Sequence, residues 1–364
     1  MRAALLHEYG QPLDVVDDVV LAATGVGQVR IRIAFCGICH SDLHMGGGLT
    51  PLPLIAGHEA AGVIEEVGPG VLDLEVGDHV VITPSPSCGR CEPCLHDHPS
   101  QCFKGRGWMK GRLQDGVVPF SRNGRPVYRG NGVGAWSEAV VMDAIAAIKI
   151  PADVPLELAC LIGCGVQTGL GAVLNTAKVE PGSTVLVLGL GGVGQSVVQG
   201  ARIAGASHIV VSDPLKERRE MAMKLGATGA IDPTEEDVVA SLKKQVRGGA
   251  DYAFEVVGSP ALVATGVRAI KPGGAVVLIG APMGDDTLGG VHQGMLIAQE
   301  KRLLGSMLGS CNASRDVPLI LDFWRAGMLD LETMATSMRP LAEVNQGLDD
   351  LRSGKGLRTV LSMR

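Results

Sequence analysis

The stretch Ser183-Thr-Val-Leu-Val-Leu-Gly189-Leu-Gly191-Gly-Val-Gly194 decides how the second half of this chain folds. Residues 185–188 form a continuous apolar run rich in β-branched side chains, which is typical of a strand buried on both faces. Three glycines then follow in the spacing G-x-G-x-x-G. The first allows a tight turn, the second lets the backbone approach a pyrophosphate, and the third packs a helix on the strand. The pattern predicts a helix whose N-terminus faces the phosphates of a dinucleotide.

An acidic residue downstream strengthens this interpretation. A second apolar run begins at His208 and ends on Asp213, about 20 residues beyond the last glycine, where a carboxylate binds the 2′-hydroxyl of an adenosine ribose. The same carboxylate would repel a 2′-phosphate, so Asp213 favours NAD over NADP, although Lys216 and Arg218 follow closely. A tight turn without a ligand is the alternative, and it leaves the acid unexplained. The predicted cofactor-binding residues of this segment are Gly189, Gly191, Gly192, Val193, Gly194 and Asp213.

From residue 183 onward, apolar strand patterns alternate with helical patterns, which predicts a doubly wound parallel sheet. The predicted strands are 184–188, 208–213, 229–232, 251–257, 275–280 and 302–307. The predicted helices are 193–205, 215–226, 235–247 and 260–271, followed by an amphipathic helix at 316–326.

The first half of the chain has a different pattern of apolar residues. Short apolar runs such as 3–6, 14–16 and 29–33 alternate with Gly and Pro turns, which predicts a barrel-like β domain. Residues 103–135 are expected to form a long irregular excursion, and 355–361 a last strand that rejoins the first domain. The predicted division is a catalytic domain at 1–165, a dinucleotide-binding domain at 166–308 and a return to the first domain at 309–364.

Composition limits the partners. Hydrophobic residues make up 46% of the 364 residues and charged residues 19%, which is ordinary for a globular protein. A net charge of −6 argues against nucleic acid or an anionic membrane surface as a partner. We find no apolar run of the roughly 18 residues that span a bilayer, and no signal peptide at the N-terminus. We therefore expect no nucleic-acid or membrane partner and a cytoplasmic location.

Four of the nine cysteines follow the pattern C-x2-C-x2-C-x7-C. In a reducing compartment such a cluster binds metal more often than it forms disulfides. Four thiolates close a tetrahedral shell and leave no open position, so a zinc ion held here would be structural. An iron–sulfur cluster, whose cysteines are usually spaced otherwise, and a disulfide pair are the alternatives. The predicted ligands of the structural zinc are Cys88, Cys91, Cys94 and Cys102.

Two other stretches carry metal-binding and proton-transferring groups. Residues 36–44 hold two thiols, two imidazoles, a hydroxyl and a carboxylate, and Gly57-His58-Glu59 presents an imidazole beside a second carboxylate. These groups indicate a metal site that is still incomplete. Spacing alone does not choose between Cys160 and Cys164 as a further ligand.

Taken together, these motifs resemble those of the zinc-dependent medium-chain alcohol dehydrogenases, near the liver-type and glutathione-dependent formaldehyde dehydrogenase classes. The resemblance covers almost the full length. It rests on Gly37-Ile-Cys39-His-Ser41-Asp42, Gly57-His58-Glu59, the four-cysteine cluster, Gly163-Cys164-Gly165 with Thr168-Gly169, and the glycine-rich turn. It implies a GroES-like β-barrel catalytic domain joined to a Rossmann domain.

The resemblance also implies roles for individual residues. Cys39, His58 and Cys164 would hold a catalytic zinc, which makes two zinc ions per subunit, with Asp42 orienting His58 and Glu59 beside the metal as a transient ligand. Ser41, the nicotinamide ribose and His44 would relay the alcohol proton to solvent. The further cofactor contacts that it implies are His40, Thr168, Arg218 and Arg358.

The implied activity is reversible oxidation of a primary alcohol to its aldehyde with NAD as hydride acceptor. Where relatives often place an aromatic residue near the zinc, this chain has Thr83-Pro84-Ser85-Pro86, which favours a wider pocket and an allylic, aromatic or medium-chain substrate. Two alternatives stay open. One is a thiol-adduct formaldehyde dehydrogenase of the glutathione or mycothiol type, favoured by Arg106 but not by residues 46–53, which lack an acid. The other is a non-catalytic dinucleotide-binding protein.

The 103–135 excursion resembles the corresponding loop in the dimeric branch of this family. The resemblance implies a homodimer, with a tetramer as the alternative.

Overall fold

The computed structural model of the chain describes residues 1–43, 50–105, 110–281, 287, 288 and 290–363. The strands in these ranges are β1 Ala3–Leu6, β2 Asp14–Val16, β3 Val20–Leu21, β4 Gln28–Gly37, β5 Leu54–Ile55, β6 Glu59–Val67, β7 His79–Ile82, β8 Phe120–Arg122, β9 Arg125–Arg129, β10 Ala139–Asp143, β11 Ala147–Ile150, β12 Thr184–Leu188, β13 His208–Ser212, β14 Gly229–Ile231, β15 Ala250–Glu255, β16 Ile270–Leu278, β17 Arg302–Gly305, β18 Ala335–Pro340 and β19 Arg358–Ser362.

The helices divide into three kinds. The α-helices are α1 His40–Leu43, α2 Glu92–Leu95, α3 Leu156–Leu161, α4 Gln167–Gly171, α5 Gly192–Ile203, α6 Lys216–Leu225, α7 Val238–Gln245, α8 Pro260–Ala269, α9 Gln293–Ala298, α10 Ala313–Arg325 and α11 Val344–Arg352. The π-helical turns are Ile162–Val166 and Ala172–Ala177. Short 3₁₀ turns lie at Pro99–Gln101, Gly130–Gly132, Ala144–Ala146, Leu308–Ser310 and Leu341–Glu343.

The chain forms two compact units. The first comprises Met1–Gly165, Asn312–Asp322 and Leu331–Arg364, and the second comprises Val166–Cys311 and Phe323–Asp330. We expected all of 309–364 to return to the first unit, but residues 309–311 and the segment 323–330 belong to the second. Helix α5 holds this segment there, because Gln199 exchanges hydrogen bonds with the Asp330 backbone at 2.7 and 3.2 Å. Arg202 also donates to the Met328 carbonyl at 2.6 Å.

The second unit is built on the predicted parallel sheet. Its six strands, among the residues that the structure describes, follow the spatial order β14-β13-β12-β15-β16-β17, and every neighbouring pair is parallel. Strand β12 is buried along its whole length, as its continuous apolar run requires, and apolar clusters pack on both faces of the sheet. The prediction of a doubly wound α/β sheet is confirmed.

Some element ends differ from the predictions. Helix α7 begins at Val238 rather than 235, because Asp237 caps it by accepting a hydrogen bond from the Ala240 amide at 2.8 Å. Strand β16 begins at Ile270 rather than 275, since the chain pairs with Ala250 before a register shift.

The first unit contains two β-sheets in its described part, with the orders β2-β1-β5-β9-β8-β3 and β11-β7-β6-β4-β19-β18. Strand β4 organises the second sheet, because it pairs with β6, β10 and β19. The C-terminal strand therefore rejoins the first unit, as predicted. Residues 103–135 are less irregular than predicted, since β8 and β9 form a hairpin through Asn123-Gly124, both at positive φ. An Asn-Gly pair between strands is a hairpin signal that our prediction missed.

One helical stretch corrects the expectation that no apolar segment is long enough to cross a membrane. Leu156–Ala177 has 22 residues and a mean hydropathy of 1.5, but 78% of its most apolar window is buried inside the protein. Its one charged residue, Glu157, lies at its start, and glycine and uncharged polar residues interrupt the rest, a composition that buried core helices share.

Candidate metal centres and dinucleotide site

Three predicted ligands of the catalytic metal meet in the first unit. Cys39 follows β4, His58 immediately precedes β6, and Cys164 lies in the first π-helical turn, a feature often found at functional sites. The turn before His58 requires glycine, because Gly57 has a φ of 85° and an added Cβ would collide with the Trp136 indole. All three residues are buried, and their ligand atoms lie within 4.8 Å of one another.

The spacing of these atoms fits zinc. The sulfurs of Cys39 and Cys164 are 3.9 Å apart, close to the roughly 3.8 Å edge of a tetrahedron with Zn–S bonds of about 2.3 Å. Two sulfurs and one imidazole nitrogen form a set that zinc accepts, and three protein ligands leave a fourth position for a substrate. A hydrogen bond from Cys164, acting against burial and aided by the Arg358 charge, lowers the pKa of Cys39 well below its usual value. The pKa shift favours the thiolate that binds metal.

Asp42 orients the histidine. Its Oδ1 lies 3.0 Å from His58 Nδ1, so Nε2 is left for a metal. Its other oxygen accepts the Cys39 amide at 2.9 Å, which ties two ligand-bearing loops to one buried carboxylate. Burial opposes the charged imidazole, but Asp42 outweighs it and raises the pKa of His58 well above its usual value.

Asn131 contacts both Asp42 and His58, a role that the sequence did not predict. Its Nδ2 donates to Asp42 Oδ1 at 3.0 Å and lies 3.3 Å from His58 Nδ1. The residue adopts φ 49° and ψ 31°, a left-handed conformation that asparagine tolerates. The only signal in the sequence is its position between Gly130 and Gly132.

The structure describes one of the two side chains that are predicted to relay the alcohol proton. Ser41 Oγ lies 3.2 Å from His58 Nε2, so its hydroxyl is beside the proposed metal position. The other predicted relay residue, His44, lies outside the described residues, as does Arg106.

Strand register brings Glu59 and Arg358 together. Gly37 of β4 pairs with Glu59 on one side and with Val360 of β19 on the other, and Arg358 Nη1 lies 3.5 Å from Glu59 Oε2. Both side chains are buried, and neither Glu59 oxygen has a hydrogen-bond partner among the described residues. Burial, opposed by Arg358, raises the pKa of Glu59 to about 7.

Two glycines make room for this buried pair. An added Cβ on Gly37 would lie 2.7 Å from Glu59 Oε1, and one on Gly165 would collide with the Arg358 guanidinium. The glycines that surround the predicted ligands Cys39 and Cys164 are therefore required by side-chain packing.

The other four predicted zinc ligands form a second cluster. Their sulfurs lie within 4.8 Å of one another, with Cys91 3.4 Å from Cys94 and 3.7 Å from Cys102. Burial opposes ionisation of Cys91, but backbone groups of Cys94 and Phe103 outweigh it and lower its pKa to about 6. Four sulfurs at tetrahedral spacing fit zinc and leave no position for a substrate.

The glycine-rich turn in the second unit fits a dinucleotide. Gly189 has a φ of 96°, and an added Cβ on Gly194 would collide with the Gly189 carbonyl. An added Cβ on Gly191, by contrast, would meet no atom within 4 Å. Since Gly191 caps α5, open space lies beside the start of this helix, where a pyrophosphate is expected. Gly192 and Val193 form the first turn of that helix.

Asp213 is buried at the end of β13. Its oxygens accept the amides of Leu190 at 2.8 Å and Leu215 at 2.9 Å, so its carboxylate is fixed beside the glycine-rich turn. Each oxygen keeps a lone pair for a ribose hydroxyl. Arg218 Nη1 lies 4.0 Å away, and its buried Nε has no hydrogen-bond partner among the described residues.

The remaining predicted cofactor contacts are divided between the units. Thr168 lies on α4 in the second unit, where an added Cβ on the neighbouring Gly169 would be 2.6 Å from the Val193 carbonyl, so α4 packs closely on α5. His40 and Arg358 lie in the first unit, the former exposed and the latter 5% exposed.

Comparisons with known proteins agree with this geometry. Residues 25–152 match the alcohol dehydrogenase GroES-like domain family, and residues 192–325 match the zinc-binding dehydrogenase family. An alcohol dehydrogenase zinc-binding domain protein from Burkholderia ambifaria is 33% identical with a TM-score of 0.94, over 100% of this chain and 98% of its own. Benzyl alcohol dehydrogenase from Acinetobacter calcoaceticus is 30% identical with a TM-score of 0.93, over 100% and 99%.

A third relative, an alcohol dehydrogenase from Thermus sp. ATN1, is 26% identical with a TM-score of 0.83 over 100% of both chains. The prediction of a GroES-like domain joined to a Rossmann domain is confirmed. With the two donor clusters, the matches support an oxidoreductase that acts on a small molecule and uses zinc and a nicotinamide dinucleotide. The chain belongs to the zinc-dependent medium-chain alcohol dehydrogenase family.

Proposed function

We propose that this protein is an NAD-dependent zinc alcohol dehydrogenase that oxidises a primary alcohol to its aldehyde, and reverses the reaction. The observation that carries this proposal is the convergence of Cys39, His58 and Cys164, whose ligand atoms lie within 4.8 Å of one another. Three ligands leave one position for the substrate, which is the pattern of a catalytic site. A non-catalytic binding protein would not require this set of donors.

The chain's own residues would prepare the site for proton removal. Cys39, His58 and Cys164 would hold one zinc ion, and Cys88, Cys91, Cys94 and Cys102 a second, structural one. The catalytic zinc supplies a Lewis acid that lowers the pKa of an alcohol hydroxyl. Asp42 keeps the His58 ring in place through Nδ1, and Ser41 Oγ, beside His58 Nε2, accepts the alcohol proton at the start of the relay to His44.

NAD is the proposed hydride acceptor, held by His40, Thr168, the glycine-rich turn, Arg218 and Arg358. Asp213 supports NAD over NADP, because its buried carboxylate is fixed by two backbone amides and cannot turn away from a 2′-phosphate. A second negative charge in that position would be repelled.

For the substrate we propose a primary alcohol with an aromatic, allylic or medium-length chain. The relative from Acinetobacter calcoaceticus acts on benzyl alcohol and matches this chain over its full length. Thr83 and Pro84, at the place where relatives often have an aromatic residue, carry small side chains and border a cavity of the first unit. Arg106, on which the thiol-adduct formaldehyde dehydrogenase alternative rests, lies outside the described residues.

The test is to follow NADH formation by the purified, zinc-loaded protein with benzyl alcohol, geraniol, hexanol, ethanol and hydroxymethylglutathione. Turnover of the larger free alcohols is the expected result. Turnover of hydroxymethylglutathione alone would replace the proposed substrate class with the thiol adduct, and no turnover of any compound by protein that contains zinc would overturn the activity.

We also propose a homodimer in the cytoplasm. The support is the likeness of the 103–135 segment to the dimeric branch of the family, and an acidic chain of ordinary globular composition. Sedimentation velocity distinguishes a dimer from the alternative tetramer.

A further inference from the structure

A small cavity of about 40 Å³ lies within the first unit, among the residues that the structure describes. The lining residues that matter here are Thr83, Lys104, Arg112, Arg129, Gly132 and Asp143. Three of these side chains are cationic and one is acidic. Lys104 and Arg112 are exposed, so they lie at the mouth, whereas Arg129 is only 6% exposed.

Arg129 is a buried cation without a carboxylate partner. Its Nε and Nη2 donate to the Arg112 carbonyl at 3.1 and 2.6 Å, which leaves Nη1 without a hydrogen-bond partner within the described ranges. No described carboxylate lies within ion-pair distance of its guanidinium. Burial lowers the pKa of Arg129, and Asp143 and Asp115 oppose this only through space.

The acidic residues near Arg129 interact with other groups. Asp115 accepts hydrogen bonds from Gln28 Nε2 and from the Val117 amide, at 2.8 and 2.9 Å. Asp143 interacts with the backbone of Gln114, and burial raises its pKa. A buried charge that lacks a partner is costly, so buried charges in proteins are normally paired or bound to a ligand.

We propose that this cavity binds the carboxylate group of a small organic molecule, with Arg129 as its partner. A guanidinium presents planar, paired donors that match a carboxylate. Arg129 keeps Nη1 free and lines a space large enough for a carboxylate group, with the rest of the molecule extending toward the mouth. Lys104 and Arg112 at the mouth attract the same charge.

The position of the cavity indicates that this carboxylate is the far end of the alcohol substrate. Gly132 follows Asn131, which contacts Asp42 and His58. Thr83 follows Ile82, whose carbonyl lies 2.6 Å from the position of an added Cβ on Gly163, next to Cys164. Two walls of the cavity are therefore continuous with segments that support the metal ligands. This assignment rests on the proposed function, whereas a separate carboxylic acid would be a second source of the same group.

The test compares 4-(hydroxymethyl)benzoate with benzyl alcohol as substrates of the zinc-loaded enzyme. The wild-type protein should prefer the acid, and Arg129→Gln should lower the ratio of the two kcat/KM values by roughly tenfold, the effect of losing one charge-assisted hydrogen bond. Asp143→Asn removes a negative charge that would repel a carboxylate in the cavity. Its side-chain oxygen can still accept a hydrogen bond from the Gln114 backbone, so this variant should raise the ratio. Arg125→Gln is the matched control, because Arg125 is exposed on the same strand and does not line the cavity.

Calorimetric titration with benzoate distinguishes the two possible sources of the carboxylate, which are the alcohol substrate itself and a separate carboxylic acid. If benzoate binding depends on Arg129 and benzyl alcohol displaces it, the substrate's own carboxylate occupies the cavity. If binding depends on Arg129 but is not displaced, the carboxylate site stands with a free acid as its ligand. A substrate ratio and a benzoate affinity that neither Arg129→Gln nor Asp143→Asn changes would overturn the proposal. Failure of the proposed function is distinct, since then no alcohol would be oxidised by the wild-type protein.

Discussion

Asn131 Nδ2 donates to Asp42 Oδ1 at 3.0 Å, on the same oxygen that orients the His58 ring. We expect Asn131→Ala to weaken zinc binding at the catalytic site by roughly tenfold, because loss of an outer hydrogen bond typically costs ten- to a hundredfold in metal affinity. Competition with a chromogenic chelator measures this affinity directly, without an activity assay.

Asn123→Ala is the matched control for this prediction. Asn123 also has a positive φ, of 51° against 49° for Asn131, so both substitutions add similar backbone strain. Asn123 lies in the β8–β9 turn, and its replacement should leave zinc affinity unchanged. Equal loss of zinc affinity in both variants would mean that Asn131 acts through the backbone and not through Asp42.

Cys39→Ser should remove one zinc ion and spare the other. The catalytic cluster would lose one of its two sulfurs, which lie 3.9 Å apart, while the four-cysteine cluster keeps all its ligands. We expect the zinc content to fall from two ions per chain to one, with loss of turnover and retention of NADH binding, since the glycine-rich turn lies in the other unit. Elemental analysis and fluorescence titration with NADH are the measurements.

Cys160→Ser serves as the control for the metal-ligand prediction. Cys160 is buried like Cys39 but donates to the Glu157 carbonyl at 3.3 Å, a bond that serine can also make. It should retain both zinc ions. If it loses one, the ligand set includes Cys160 and our assignment of Cys164 is wrong.

Asp213→Asn should relax the preference for NAD. The change removes the negative charge that opposes a 2′-phosphate and leaves Arg218, whose Nη1 is 4.0 Å away, free to attract one. We expect the ratio of kcat/KM for NAD over NADP to fall by at least roughly tenfold, because apposed like charges cost several kcal/mol. Asp251→Asn, which disrupts an ion pair with Lys271 in the same unit and does not contact Asp213, should leave the ratio unchanged.

The parallel sheet could be predicted from sequence because its strands are buried on both faces and read as continuous apolar runs. Predicted metal ligands that are close in sequence, such as Cys88 and Cys91, could be recognised from their spacing in the same way. Asn131 and Arg129 were not, because their roles depend on a hairpin that brings distant residues to Asp42 and to the cavity. Local pattern carries no information about such contacts.

The pairing of Glu59 with Arg358 depends on the register of three strands, β6, β4 and β19, and yields the last prediction. Replacing Arg358 with Met should destabilise the protein by about 3 kcal/mol, because removal of one partner leaves the other charge buried and uncompensated. Glu59→Gln combined with Arg358→Met removes both charges and should recover part of that loss. The free energy of unfolding, measured in denaturant for each single variant and for the double variant in zinc-saturated buffer, gives the coupling between the two residues. Additive losses would show that the 3.5 Å contact between the two side chains contributes nothing to stability.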